Sequence, residues 1–175
     1  MTTSFVSSDL LQRLRRSVLL SGVLFLSLTA GICGDDDDDD GGTGPSADCI
    51  DEFIAILEAN GADEDDVESI SLNGSESGSL SNGDIEDDEG FLADAYVLEL
   101  NQDTDIEISL NPSGFDAVLI LFGEGSTSPD VADSEDPEAT EEIAGSAAEG
   151  CYLIVVTSFE AEETGSYSLS VDEID

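Results

Sequence analysis

Hydrophobic positions divide the chain into three regimes. Residues 17–30, "SVLLSGVLFLSLTA", form one unbroken apolar stretch. Residues 48–61, "DCIDEFIAILEANG", carry Ile50, Phe53, Ile54 and Leu57 at i, i+3, i+4 and i+7, the spacing of one helix face. Asp48 is placed to cap this helix, Asp51 and Glu52 suit its first turn, and Gly61 is placed to end it. The pattern predicts a helix of about 11 residues docked on a larger body, with a partner-binding helix as the alternative.

From residue 68 the period changes to two. "ESISL" and "SGSL" read as short strands joined by an Asn73-Gly74 turn. "DAYVLEL" sends Tyr96, Leu98 and Leu100 to one face, and "DIEISL" sends Ile106, Ile108 and Leu110 inward. "FDAVLILF" and "CYLIVV" are nearly all apolar, as expected of central strands covered on both sides. "GSYSLSV" alternates again, with Tyr167, Leu169 and Val171 in and serines out. Residues 123–140 read as one long, acidic, mobile connection. The predicted fold is all-β: an antiparallel, jelly-roll-like sandwich of about seven or eight strands with one short N-terminal helix.

The apolar stretch follows "RLRR" and is too short for a comfortable membrane span, so residues 1–32 read as a signal peptide. The residues before Cys33, "TAGIC", resemble the lipobox of bacterial and archaeal lipoproteins. That resemblance implies a lipid on the Cys33 thiol and a membrane partner. Ile32 departs from the usual small residue, so cleavage after Ala30 or Gly31, giving a secreted protein, is the competing reading. Residues 33–47 then form an acidic, extended linker that spans roughly 20 Å or more. Residues 48–61 are the helix and 62–175 the sandwich domain.

The chain has three cysteines. With Cys33 lipidated, Cys49 and Cys151 remain as a disulfide pair outside the cytoplasm; otherwise both are small buried apolar residues. The bridge would tie the helix to the sheet.

Charge removes several functions. The chain holds 43 acidic side chains, three basic ones and no histidine. Only Asp9 precedes Arg16, the last basic residue, so 42 carboxylates follow it with no cationic side chain among them. Such a body repels nucleic acid. Serine–histidine and serine–lysine nucleophiles cannot be built, nor can a histidine-ligated zinc site. What remains is carboxylate chemistry, and acids this numerous form close pairs by chance. The reading is therefore no enzyme, with a carboxylate-based hydrolase as the remote alternative.

Six motifs in order resemble the bacterial pre-peptidase C-terminal domain over about residues 68–172. They are "GSLSNGD" (78–84), "ADAYVLEL" with Asp94 and Tyr96, "DTDIEISL", "GFDAVLILF" with Phe115 and Asp116, "EGCYLIVVTS" with Gly150 and Tyr152, and "TGSYSLSV" with Gly165, Tyr167 and Leu169. The resemblance implies a β-sandwich and a non-catalytic module that binds extracellular protein or polysaccharide, sometimes with calcium. Such modules usually follow a catalytic domain, and the sequence contains none.

No cofactor is required on this reading, and calcium is the candidate ion. The candidate ligands are Asp84, Asp87 and Asp88 in one loop, Asp94 and Asp116 at strand starts, and Asp130 and Asp133 in another loop. The competing reading makes the loop acids solvated charge and gives Asp94 and Asp116 backbone hydrogen bonds at strand ends. Tyr96, Tyr152 and Tyr167 are candidates for a sugar- or protein-binding face, although their inward phase favours the core. Asn73-Gly74-Ser75 matches an N-glycosylation acceptor, whereas Pro112 disqualifies Asn111-Pro112-Ser113.

Overall fold

The computed structural model describes residues 47–59, 62, 64–86, 90–124, 126 and 128–174, with only the backbone of 47, 48 and 59. The signal peptide, Cys33, residues 33–46 of the linker and Gly61 lie outside the described residues, whereas Asp48, expected to cap the helix, is already its second residue because the helix starts at Ala47. Among the described residues one α-helix, α1 (Ala47–Ala59), precedes a short 3-10 turn, Glu64–Asp66. Ten strands follow: β1 Val67–Ser69, β2 Gly74–Leu80, β3 Ile85–Glu86, β4 Leu92–Leu100 and β5 Thr104–Ser113. The remainder are β6 Ala117–Gly123, β7 Asp130–Ala132, β8 Glu141–Ala147, β9 Gly150–Ser158 and β10 Gly165–Glu173.

The strands form two sheets packed as a sandwich. The first runs β1-β4-β9-β6-β7, with β3 also pairing β4; the second runs β2-β10-β5-β8. All pairings are antiparallel except β1 on β4. Between the sheets, β4 contributes Tyr96, Leu98 and Leu100, β6 Leu119 and Leu121, and β9 Ile154 and Val156. The second sheet answers with Ile106, Ile108, Leu110, Tyr167, Leu169 and Val171. These are the inward positions that alternation predicts, and each large side chain so buried contributes roughly 1.5–3 kcal/mol.

β6 and β9 are central strands; the apolar run of β6 is buried on both sides, and that of β9 is buried at Leu153, Ile154 and Val156 and half-buried at Cys151, Tyr152 and Val155. The outward Ala95, Val97 and Leu153 are as inaccessible as the core, at 2%, 0% and 0% exposure. Helix α1 packs against β9 and β4 on this outer side. Its buried positions are Cys49, Phe53 and Leu57, whereas Ile50 and Ile54 are only half-buried. The buried stripe therefore lies one step round from the predicted one. The cause is covalent: Cys49 and Cys151, 102 residues apart in sequence with Cα atoms 5.4 Å apart, form a disulfide that turns the Cys49 face onto β9. The Ala62 N–H bonds the Leu57 carbonyl at 3.0 Å, five residues back, closing the helix C-terminus.

Ten strands exceed the seven or eight expected. Residues 123–140, read as one mobile connection, instead supply β7, which pairs with β6. β8 also went unread. Its inward slot at position 141 holds a glutamate, so the apolar alternation that marks a strand is broken there.

The disulfide closes a loop of about 100 residues. Replacing Cys49 and Cys151 together by alanine is expected to lower the unfolding free energy by roughly 4–5 kcal/mol. Urea denaturation of oxidised parent and double variant measures this, and equal stabilities would contradict it.

Candidate functional site

The described residues offer four places where side chains gather: a buried tyrosine–aspartate link, an acidic group beside β6, a cleft at one end, and the open face of the second sheet.

The link joins the two sheets. Tyr167 comes from β10 and Asp94 from β4, and the Tyr167 hydroxyl donates to Asp94 Oδ2 at 2.5 Å. That uses the Tyr167 proton, so the Tyr96 hydroxyl donates in turn to the Tyr167 oxygen, 2.7 Å away. The room for this comes from Gly78, opposite Tyr167 in the β2–β10 register. A Cβ at Gly78 would lie 2.3 Å from the Tyr167 hydroxyl oxygen. Burial pushes the Asp94 carboxyl above its ordinary value, with Asp84 and Glu68 adding to the rise and the Tyr167 hydrogen bond opposing it. Burial likewise pushes the Tyr96 hydroxyl up to about 12 and Tyr167 higher still.

These positions revise the reading of Asp94 and agree with the inward phase of the tyrosines. Asp94 accepts from a side chain across the sandwich, not from backbone at its strand end. Tyr96 and Tyr167, 2% and 4% exposed, are removed from any sugar-binding face. The Tyr152 hydroxyl is likewise engaged, donating to the Ala148 carbonyl at 2.9 Å.

Asp116 opens the second place. Its backbone carbonyl accepts the Phe159 N–H at 2.8 Å, which ties down the strand start. Its side-chain Oδ1 is buried and has no hydrogen-bond partner among the described residues. The charge of Asp133 acts on it, and both Asp133 and Asp116 act on Glu141. Burial raises all three carboxyls, and for Asp116 the charges of Asp133, Glu163, Glu160 and Asp136 raise it further. Glu141 is 4% exposed and keeps one backbone hydrogen bond, from Ser134. Sequence reasoning named Asp116 and Asp133 but missed Glu141, whose burial follows only from the unread strand β8.

The remaining predicted ligands separate. Asp84 holds its own turn, accepting the Ser81 N–H at 2.5 Å. Asp130 is exposed on β7, and Asp87 and Asp88 lie outside the described residues. Among the described residues, no three carboxylates converge as a metal site. At one end a cleft of about 500 Å³ is lined by Asn82, Glu86, Gly90, Leu92, Glu162 and Thr164. It pairs no nucleophile with a base.

The fourth place is a surface. Strand registers align the outward residues of β2, β10 and β5 into three rows: Ser75–Ser170–Ser109, Ser77–Ser168–Asn111 and Ser79–Ser166–Ser113. Ser109 and Ser170 are half-buried and the other seven are exposed. Rows of this kind set hydroxyls about 4.8 Å apart across strands and about 6.7 Å apart along them. The lattice is free of charge on a chain of which 26% is charged. Alternation in the sequence turns Ser166, Ser168 and Ser170 outward; the register aligns them with the serines of β2 and β5 as one surface.

Neither a protein-family model nor a curated protein sequence matches the chain. Solved structures do. The pre-peptidase C-terminal domain of a collagenase from Bacillus anthracis is 24% identical, with a TM-score of 0.50. That match covers 60% of this chain and 93% of the domain. Its likeness shows the β-sandwich fold, as the motif order predicted. PliG, a periplasmic inhibitor of g-type lysozyme, is similar at lower scores. The Aeromonas hydrophila protein is 20% identical over 62% of this chain and 97% of its own, with a TM-score of 0.41. The Salmonella Typhimurium protein is 18% identical over 61% and 98%, with a TM-score of 0.39.

The raised carboxyls set a pH dependence. Asp94, Asp116 and Asp133 lie above 3.8 and Glu141 above 4.5 in the folded chain. Between those ordinary values and the raised ones, the folded state holds more protons than the unfolded state. Stability therefore falls as pH rises through that window and stays lower above it. Acidifying from neutral pH down towards the ordinary carboxylate values is expected to raise the melting temperature. Tyr167→Phe takes the donor from Asp94 and is expected to destabilise by about 1–3 kcal/mol at pH 7, less in acid. Thermal melts across pH for both proteins check this; a parent that is most stable near neutrality would contradict it.

Proposed function

We propose that this protein is an extracytoplasmic, lipid-anchored, non-catalytic module that works by contact with a neutral extracellular polysaccharide or a polar protein surface. The observation that carries the reading is the charge-free lattice of eight serines and Asn111 on the open face of the second sheet. A neutral hydroxylated partner meets matching donors and acceptors there, with acids at the border only, Glu142 opposite Ser109 and the Glu107–Asp172 pair in the next row. The outer face of the first sheet is occupied by α1, which leaves the second as the open sheet face.

Two features support the location. The Cys49–Cys151 disulfide is the kind of bond that persists outside the cytoplasm. The "RLRR" start, the apolar stretch and Cys33 are ordered as in a lipoprotein leader. On this reading a diacylglyceryl thioether at Cys33 holds the domain at the membrane, and the aspartate run keeps it extended from an anionic surface. A secreted form cleaved after Ala30 or Gly31 would carry the same binding face.

One observation favours calcium as a second reading. The buried Asp116 Oδ1 lacks a donor among the described residues, and Asp133 and Glu141 are within electrostatic reach of this carboxylate. A hard cation would supply that oxygen with a partner and bring the three carboxylates together. Calorimetry with calcium in high sodium separates site binding from general screening.

The test is a glycan and matrix-protein array probed with the full chain, alongside a variant carrying Ser77→Glu and Ser168→Glu. The parent is expected to bind a neutral glycan or a protein, and the variant to lose at least about tenfold in affinity with its circular dichroism unchanged. Equal binding by both proteins would remove the lattice from the mechanism.

A further inference from the structure

We propose that Asn73 is a glycan acceptor, and that the glycan caps the free edge of the second sheet. The inference goes beyond the binding face, though it rests on the extracytoplasmic location proposed above.

The acceptor triplet Asn73-Gly74-Ser75 sits where a modifying enzyme can reach all three residues. Asn73 is exposed, at the third position of a turn that the Gly74 N–H closes onto the Ser71 carbonyl at 2.9 Å. Its φ of 60° is left-handed, a conformation that asparagine tolerates. The side chain is oriented. The Glu173 N–H bonds the Asn73 amide at 3.1 Å, and only the carbonyl oxygen of that amide accepts a hydrogen bond. Nδ2 is thereby the free end of the amide, with no acceptor among the described residues. Ser75 is the first exposed serine of β2.

β2 is an edge strand, paired only with β10. Its sequence, GSESGSL, has one charged residue, Glu76, and no proline or lysine. An edge so lightly defended is a template for pairing with another chain. A bulky, hydrated sugar chain at its first turn blocks that approach without disturbing the serine rows, which lie on the sheet face.

The donor is a polyprenyl-phosphate-linked or polyprenyl-diphosphate-linked oligosaccharide. The Asn73 Nδ2–C1 bond forms as the C1–O bond to phosphate breaks. The nitrogen loses one proton to the enzyme's base, and the lipid phosphate leaves with the bonding electrons.

Mass spectrometry of the protein purified from its own producing cells tests this. Trypsin is useless beyond Arg16, but cleavage after Glu68 and Glu76 releases residues 69–76, "SISLNGSE". This peptide is expected to carry a glycan mass on Asn73. Ser75→Ala, at an exposed position outside the turn, is expected to abolish that mass while the fold persists. Asn73→Gln is the second variant. An unmodified Asn73, or one merely deamidated next to Gly74, would overturn the proposal. So would a glycan mass that survives Ser75→Ala. The same digest reads the Cys49–Cys151 linkage. A bare Asn73 with the disulfide formed sinks the glycan alone, whereas a bare Asn73 with free thiols sinks the location as well.

Discussion

The constraint on which this structure depends is the want of internal counter-charge. After Arg16 there is no lysine, arginine or histidine to set against 42 carboxylates. No ion pair can stabilise the folded body, and every acid must either stay in water or find a neutral donor. The few that leave water show how. Asp94 takes the hydroxyl of Tyr167, Glu141 takes the N–H of Ser134, and Asp116 keeps one buried oxygen with no donor among the described residues. Burial raises the proton affinity of each, as it must when no cation is near. The opposing force is the apolar layer between the sheets, reinforced by one disulfide. Self-repulsion in so acidic a body weakens the compact state throughout.

That constraint also shapes what the surface can do. Helix α1, held by Cys49, packs on the outer side of the first sheet, where Ala95, Val97 and Leu153 are buried. The second sheet faces outward with serine and asparagine in three aligned rows. Neutrality there is local to these rows: outward positions of β2, β10 and β5 carry serine or asparagine over them, whereas the next row along holds Glu107 and Asp172. A sandwich whose interior is filled has its exterior to work with, and this is the part of the exterior that charge leaves open to a neutral partner.

Much of this was legible before any coordinates. Period-two alternation placed Ile106, Ile108, Leu110, Tyr167, Leu169 and Val171 in the core, and the unbroken runs of β6 and β9 marked them as central. What failed were segments whose information is not local. β3 has two residues, Ile85 and Glu86, and exists only through its pairing with β4. β7 has three residues, too few to show a period. β8 hides behind Glu141, an acid where the pattern wants an aliphatic. The site was less legible still. Asp94 and Asp116 stood out by their motifs, but the partner of Asp94 is Tyr167, 73 residues away, and the serine rows are a property of register, which no single strand encodes.

The most direct measurement is the unfolding free energy by urea as a function of monovalent salt, compared between sodium, potassium and tetramethylammonium chlorides. If unneutralised carboxylates oppose an apolar core, stability rises steeply with salt and to a similar degree for all three cations, because screening is indifferent to the ion. A stability that is flat or falling with salt would contradict the account. So would a gain confined to one small cation.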